Sequence, residues 1–305
     1  MSARHHHWLP ILAAALGIAL FAGMDAAMKA VALAIGAYSG MLWRQLFATA
    51  WSAPAYFRSR AGWPSRAAFR FHLMRGAVGA AMAVLWFHGL ARLPMAEAIA
   101  LSFIAPLVAL YLAAAMLAER VSRRSIGASL LGLAGMLILL WARLGTGGER
   151  HLDGVAAILA SAMLYAWNLI LMRQQSQVAS PAEVSFFQSL ISGAWLLLAL
   201  PPAMLLDPAL PAIPPSLPVW GLLALSAALA VTSLFLLSWA YGREEAQVLV
   251  PIEYSAFLWA LALGAIFYAD PLRWTTLAGA ALIVLGCLLA ARRPRHVSPV
   301  IEAVV

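Results

Sequence analysis

Six ionisable residues interrupt long apolar stretches of this 305-residue sequence: Asp25, Lys29, Arg44, His88, Glu97 and Glu253. A charge in a hydrocarbon environment costs about 2.5–3.5 kcal/mol, so such residues are candidates for ligand binding and transfer. Carboxylates and cations at similar depths could bind the ammonium and carboxylate groups of a zwitterion. Alternatively, they pair with one another and stiffen or gate the helices, as the one-turn spacing of Asp25 and Lys29 favours.

A second set consists of aromatic and amide side chains that could line a cavity between helices. Its members are Trp86, Phe103, Tyr165, Trp167, Asn168, Gln188, Trp239, Tyr254 and Phe257. Any one tryptophan is equally suited to the membrane interface, where this residue is enriched. Asn168 is distinctive because a buried amide requires a hydrogen-bond partner. The apolar and aromatic composition of the set favours a ligand with a neutral side chain, such as a neutral amino acid.

The charges separate the remaining ligand classes. A nucleotide sugar needs several fixed cations for its phosphates, and none falls in the middle of an apolar stretch. A cationic drug needs an unpaired acid, for which Glu253 is the candidate. If a proton is exchanged, a carboxylate must carry it. Asp25 has Lys29 or Arg44 as a counterion, whereas Glu253 has no obvious cationic partner, so we predict Glu253 as the carrier.

The composition decides what kind of fold positions these residues. Apolar residues make up 64% of the chain and charged residues 10%, against about 25% charged residues in a soluble domain. The sequence therefore predicts an all-α integral membrane protein. Its net charge of +8 lies in short loops, which argues against nucleic-acid binding. The single cysteine, Cys287, lies in the last apolar run and excludes an internal disulfide.

Ten apolar runs approach the length of about 20 residues that a membrane-spanning helix needs. They cover 8–34, 38–57, 71–91, 95–118, 125–142, 154–172, 184–206, 216–242, 246–269 and 274–291. The first is too long for a secretory signal peptide, so we expect it to be retained, with His5–His7 in a solvated tail. Most arginines fall on the side that holds both termini. This bias predicts that both termini are cytoplasmic.

The two halves of the chain resemble each other. The segment "FAGMDAAMK" at 21–29 matches "YAWNLILMR" at 165–173, and Arg44 falls on Gln188. Each half holds five predicted spans. Because five is odd, the second half must enter the membrane inverted. Inverted repeats recur in secondary transporters, which bind their substrate near the midplane between the repeats.

The predicted repeats cover 8–143 and 152–292, with cytoplasmic tails at 1–7 and 293–305. Small residues mark one face of the last span in each repeat: Ala128, Gly132 and Gly135 in the first, and Gly279 and Gly286 in the second. Such faces let helix backbones approach closely in lipid. We assign them to packing and to no chemistry.

Each repeat ends in an acidic residue, a polar turn and a glycine-bearing helix, "ERVSRRSIGASLLGLAG" at 119–135 and "DPLRWTTLAGAALIVLG" at 270–286. With an arginine early in the second span, these features resemble the EamA family of the drug/metabolite transporter superfamily. In length and overall pattern the chain resembles the YddG-type amino-acid exporters of this superfamily. The resemblance implies a bacterial inner-membrane exporter of amino acids or related metabolites, with the fifth and tenth spans peripheral. The second repeat departs from the commoner pattern at Pro251, which lies early in its span.

Functions of other classes fit less well. The sequence has no HExxH zinc pair and no GxSxG nucleophile, which argues against an intramembrane enzyme with catalytic residues. A channel would show re-entrant half-spans or rings of like charge, whereas the predicted spans are whole. We therefore expect a monomeric transporter in lipid that works by alternating access, with no cofactor, no metal and protons as the candidate coupling ion. Neutral or aromatic amino acids are the first candidate substrates, and cationic drugs are the alternative.

Overall fold

The computed structural model describes residues 8–59, 62–105, 108, 111–112, 127, 130–138, 141, 152–175, 178–241, 243, 252 and 255–291. Within these ranges we number nine helices: α1 (Trp8–Ile35), α2 (Ala37–Arg58), α3 (Arg66–Leu90), α4 (Met95–Ser102), α5 (Leu152–Gln175), α6 (Pro181–Leu206), α7 (Leu217–Tyr241), α8 (Ser255–Tyr268) and α9 (Trp274–Ala291). Residues 130–138 are also helical, and the described part of the chain holds no strand. The all-helical fold class is thus confirmed for these ranges.

Large apolar side chains cover the outside of the helices, while polar side chains lie between them. Leu206 and Trp274 are 91% and 85% exposed, whereas Asp25 and Lys29 are only 2% and 5% exposed. A water-soluble protein shows the reverse arrangement. The α1, α3, α5, α6 and α7 helices each contain a stretch long and apolar enough to cross a membrane. The surface therefore suits lipid, and the interior holds the candidate site.

Most helix bounds lie close to the predicted spans. The α9 helix coincides with the predicted 274–291, and α1 extends the first predicted span by one residue. The α3 helix begins at Arg66, well before the predicted 71, because Ser65 caps it. The Ser65 hydroxyl oxygen accepts a hydrogen bond from the Ala68 N–H at 3.2 Å, which satisfies an otherwise unpaired donor of the first turn.

The fourth span is where the structure corrects the prediction of a continuous helix over 95–118. The α4 helix ends at Ser102, and Phe103 and Ile104 form a turn. The Ile104 N–H donates to the Leu101 carbonyl at 3.3 Å, a contact between residues three apart. Such tighter turns mark interruptions of an α-helix. The first half of this span is therefore a separate, short and almost fully buried helix.

Contacts between the two halves are paired in a regular way. The α1 helix packs on α7 as α5 packs on α3, and α2 packs on α7 as α6 packs on α3. Likewise, α1 contacts α8 as α5 contacts α4. Two further contacts join equivalent helices of the two repeats: α2 with α6, and α4 with α8. This is the pattern that results when α1 to α4 are exchanged with α5 to α8 by a two-fold rotation. It supports the predicted relation between the repeats.

The small-residue face of 130–138 packs against α9. A Cβ atom added to Gly135 would lie 2.5 Å from the Gly279 carbonyl oxygen and 2.8 Å from the Ile283 side chain. The two helix backbones are thus too close for any residue larger than glycine at position 135. Helix faces of small residues permit this close approach. Gly127, earlier in the same predicted span, has no such neighbour within 4 Å.

Replacing Gly135 by alanine is expected to lower the free energy of unfolding by about 1–3 kcal/mol, the usual cost of overpacking. Gly127→Ala is the matched control, and we expect it to be neutral or to stabilise by up to about 1 kcal/mol through helix propensity. Thermal unfolding in detergent measures both. Equal melting temperatures for the two variants would contradict the close packing of 135 on α9.

Candidate functional site

Most of the buried polar side chains relevant to function gather at opposite ends of the helices. The outer cluster lies toward the end at which α1 and α3 finish, which is outside by the predicted topology. It comprises Asp25, Lys29, Arg44, Trp86, Glu97, Asp270 and Thr276. The inner cluster lies toward the end at which α3 begins and α5 finishes. It comprises His72, Arg75, Asn168, Gln175, Glu183 and Gln188.

The carboxylate of Asp25 faces an aromatic donor and a guanidinium. Trp86 Nε1 donates to Asp25 Oδ1 at 3.0 Å, and the charges of Asp25 and Arg44 interact. Arg44 Nη1 lies 3.6 Å from Met41 Sδ, a weak acceptor. Its Nε is buried without a hydrogen-bond partner among the described residues. A buried donor of this kind is costly, so Arg44 has capacity for an acceptor that a ligand could supply.

The ammonium of Lys29 joins the first half of the chain to the second. Its Nζ lies 3.4 Å from Asp270 Oδ2 and donates to the Leu93 carbonyl at 2.9 Å. The same Asp270 oxygen accepts the Met95 N–H at 2.8 Å. The Tyr268 ring lies 4.6 Å from Nζ. This buried network holds α1, the turn before α4 and the turn after α8 together at the outer end.

The local backbone explains how Asp270 reaches that position. The Asp270 N–H donates to the Gly264 carbonyl at 3.0 Å, and Ala269 adopts a left-handed conformation with φ of 51°. That conformation costs a non-glycine residue about 1–2 kcal/mol, and it turns the chain back so that the carboxylate points inward. Gly264 permits the approach, since a Cβ there would lie 2.7 Å from Asp270 Oδ2.

Glu97 occupies the remaining part of the outer cluster. It is 6% exposed, and its Oε1 accepts a hydrogen bond from Thr276 Oγ1 at 3.4 Å. A cavity of about 310 Å³ adjoins it, lined by Glu97, Asp270, Thr276 and apolar residues of α8. Two carboxylates thus stand beside an otherwise apolar space.

The contacts of the outer cluster distinguish the two counterions that the sequence offered for Asp25. Lys29 forms an ion pair with Asp270, and the hydrogen bond to Asp25 comes from Trp86. The charges of Arg44 and Asp25 do interact. Asp270 and Thr276 belong to the second repeat, so the outer cluster contains residues of both repeats.

His88 lies apart from the outer cluster. Its Nε2 is 3.4 Å from Asp153 Oδ2, and Arg92 Nε is 2.5 Å from the same oxygen. All three side chains are more than a third exposed. They join the end of α3 to the start of α5. His88 is therefore part of an exposed contact between these helix ends and not of the outer cluster.

The inner cluster is built around His72, which is fully buried. Its Nε2 lies 3.0 Å from Glu183 Oε1, and its Nδ1 lies 2.7 Å from Gln175 Nε2. Glu183 is held at the start of α6, where its N–H donates to the capping Ser180 hydroxyl at 3.3 Å. The Phe187 ring stacks on the imidazole with a centroid distance of 5.0 Å.

Arg75 is the cation of the inner cluster. Its Nε donates to Asn168 Oδ1 at 3.0 Å, and its Nη1 donates to Gln175 Oε1. Gln188 Nε2 donates to the Arg75 carbonyl at 3.2 Å. Arg75 falls within the predicted third span but was not among the candidate residues, and in α3 it is only 8% exposed. It is the partner that the amide of Asn168 required.

The aromatic residues of the predicted lining are dispersed. Phe257 is buried in the main apolar core, and Phe103 packs against it. Tyr165, Trp167 and Trp239 are each about 40% exposed. Trp239 borders a surface groove between α1 and α7 and stacks under Arg243 at 4.2 Å, so it lies away from both clusters. Glu253 and Tyr254 lie outside the described residues.

Sequence reasoning missed His72, Gln175, Glu183 and Asp270. All four stand at or beyond the edge of a predicted apolar span, next to turns rich in charge. The available signal was the cap sequence Ser180–Glu183, which places Glu183 in the first turn of α6. Within the described part of the chain, no group of three or more His, Cys, Asp or Glu side chains could hold a metal ion.

Comparison with known proteins agrees with this architecture. The EamA-like transporter family matches residues 8–141 and 152–292. Over 220 residues the chain is 26% identical to the pseudopaline exporter CntI of two Pseudomonas aeruginosa strains, covering 72% of this chain and 74% of each relative. It is also similar to a crystal structure with a TM-score of 0.61 and 20% identity, covering 92% of this chain and 97% of that one. The last likeness concerns the fold alone.

Proposed function

Because the chain belongs to the EamA-like transporter family, we propose that it exports small metabolites across the bacterial inner membrane by alternating access. It does so as a monomer of ten spans, in two inverted repeats with both termini in the cytoplasm. The paired contacts between α1 to α4 and α5 to α8 support the repeat relation. The similarity to a relative named as an exporter supports the direction of transport.

The substrates of first choice are neutral or aromatic amino acids. The observation that carries this choice is the buried carboxylate of Asp25, which interacts with the guanidinium of Arg44 beside the main apolar core. Asp25 can accept the α-ammonium group, and the unpartnered Nε of Arg44 can donate to the α-carboxylate. The surrounding Trp86 and the apolar core suit a side chain without charge.

Alternating access requires that each end of the pathway close in turn. The two polar clusters lie at opposite ends, and each joins elements of both repeats: α1 with the turn after α8 at the outer end, and α3 with α5 and α6 at the inner end. We infer that they are the two closing contacts. In the structure both are formed, which corresponds to an occluded state between the two open ones.

Transport by purified protein in liposomes tests the proposal. We expect saturable uptake and counterflow of labelled methionine, with leucine and phenylalanine as competitors and nucleotide sugars without effect. Liposomes without protein provide the background. Uptake that neither saturates nor shows counterflow would favour a channel instead.

A cationic drug is the second candidate, and the cavity beside Glu97 and Asp270 favours it. The cavity walls are otherwise apolar, and an organic cation bound there would take the place of Lys29 at the Asp270 carboxylate. The same liposomes separate the candidates, because a fluorescent cationic dye would then compete and amino acids would not. Competition by the dye alone would replace the amino-acid assignment.

A further inference from the structure

The hydrogen bonds of the inner cluster fix the orientation of the Gln175 amide. Arg75 can only donate, so the Gln175 atom that faces its Nη1 must be the carbonyl oxygen. The NH₂ group of the same amide therefore faces His72 Nδ1, at 2.7 Å. Gln175 is fully buried, so water does not offer an alternative partner at either end.

This orientation in turn fixes the protonation state of His72. An amide NH₂ donates, so Nδ1 must carry a lone pair and accept. The single ring proton then lies on Nε2, which donates to the Glu183 carboxylate at 3.0 Å. His72 is thus neutral in the structure, while the cluster holds one cation, Arg75, and one anion, Glu183.

A second proton on His72 is incompatible with this arrangement. The new Nδ1–H would point at the Gln175 NH₂ group. Both groups are hydrogen-bond donors, so they would repel each other. Rotating the amide would satisfy His72, but it would then present NH₂ to the Arg75 guanidinium, which also only donates. Protonation of His72 must therefore break one of the contacts that join α3 to the end of α5.

We propose that His72 binds the proton that drives transport, and that Gln175 transmits its binding to Arg75 as an opening of the inner end. The proposal rests on the proposed transport function and adds its coupling site. It assigns the proton to His72 in place of Glu253, which lies outside the described residues. The proton forms an N–H bond at Nδ1, and no other bond changes. With His72 neutral the inner cluster stays closed. With His72 protonated the α3–α5 contact is lost, so the inner end opens, releases the proton and admits a substrate.

The surroundings of His72 allow this role. Among the described residues, the charged groups around it are Glu183 on α6 and Arg75 on its own helix. Tyr165 on α5 interacts with Arg75, and Tyr56 on α2 stacks with Phe186 and contacts Phe187, which covers the imidazole. Glu183 stabilises the imidazolium, so a proton can be held without a bare buried charge.

The protonation state can be observed directly by nitrogen NMR of ¹⁵N-histidine-labelled protein in detergent, with His72→Gln to assign the signal. Spectra are recorded at about pH 8 and again after acidification to about pH 5. We expect an unprotonated Nδ1 and a protonated Nε2 in the first sample and a proton on both nitrogens in the second. A proton on Nδ1 at the upper pH, or a signal that does not change over this range, would overturn the proposal. Neither result depends on which substrate is transported.

The coupling is tested in liposomes with labelled methionine as the probe. Gln175→Glu places a carboxylate, which only accepts, beside both Arg75 and His72 Nδ1, so it holds His72 in the doubly protonated form with every contact kept and the inner cluster closed. We expect Gln175→Glu and His72→Gln to lose the stimulation by a pH gradient at least tenfold. Arg70→Gln, a charge removal on the exposed face of α3, should keep the stimulation. Gradient stimulation that survives in both test variants would refute the coupling role, whereas absence of counterflow in the unmodified protein would refute the proposed substrate.

Discussion

Asp25→Asn is expected to lower the apparent affinity for amino acids about 100-fold while leaving the fold intact. Removing one partner of a buried, hydrogen-bonded charge contact costs about 2–5 kcal/mol, and each 1.4 kcal/mol is a factor of about ten. Asparagine keeps an oxygen that can accept the Trp86 N–H, so the packing against α3 is preserved. The measurement is the concentration dependence of labelled methionine counterflow in liposomes.

Asp207→Asn is the matched control, since Asp207 is exposed in the turn after α6. We expect it to transport like the unmodified protein. If Asp25→Asn retained full affinity and melted at the same temperature, Asp25 would not contact the substrate ammonium. A loss of affinity accompanied by a large fall in melting temperature would instead assign Asp25 a structural role.

Separating Lys29 from Asp270 is expected to have the largest effect on stability. Lys29→Met removes the ammonium that faces the Asp270 carboxylate, and Asp270→Asn removes the carboxylate from that ammonium. Breaking a buried ion pair from one side costs about 3–5 kcal/mol, whereas removing both charges is often neutral. We therefore expect each single variant to unfold at a markedly lower temperature and the double variant, Lys29→Met with Asp270→Asn, to recover most of the loss.

Thermal unfolding of all four proteins in detergent gives the interaction free energy by a double-mutant cycle. Transport provides an independent measurement. We inferred that the Lys29–Asp270 pair closes the outer end, so the pair must separate during each transport cycle. We expect the double variant to be stable but slow in counterflow. Additive losses of stability in the two single variants would mean that the two side chains do not depend on each other.

Hydropathy was sufficient to locate most helices, because a span in lipid must be apolar along its length regardless of tertiary contacts. It failed at α4, which ends at Ser102, since a tight turn that is buried among other helices leaves the hydropathy unchanged. It also misplaced the start of α3. Arg66 and Arg70 are exposed and resemble a loop in composition, although Ser65 had already begun a helix.

The sequence indicated several residues of the candidate site, but it did not indicate which residues they contact. Asp25, Arg44, Glu97 and Asn168 were identified because a polar group within an apolar run is conspicuous. Their partners were not, because Lys29 and Asp270 are 241 residues apart and no local spacing reports such a contact. His72 and Arg75 were missed for a different reason. Both lie next to a cluster of arginines, where the sequence does not distinguish a buried basic residue from an exposed one.

The long-range contact between Lys29 and Asp270 also bears on how the protein is made. The α1 helix leaves the ribosome with two charges, and its counterion on the second half is synthesised 241 residues later. During that interval Lys29 must reach the headgroup region or keep contact with the insertion machinery, at about 2.5–3.5 kcal/mol. The long apolar segment of α1 tolerates this delay. A chain truncated before Asp270 would keep Lys29 in its first helix without this counterion from the second half, which would distinguish it from the complete chain.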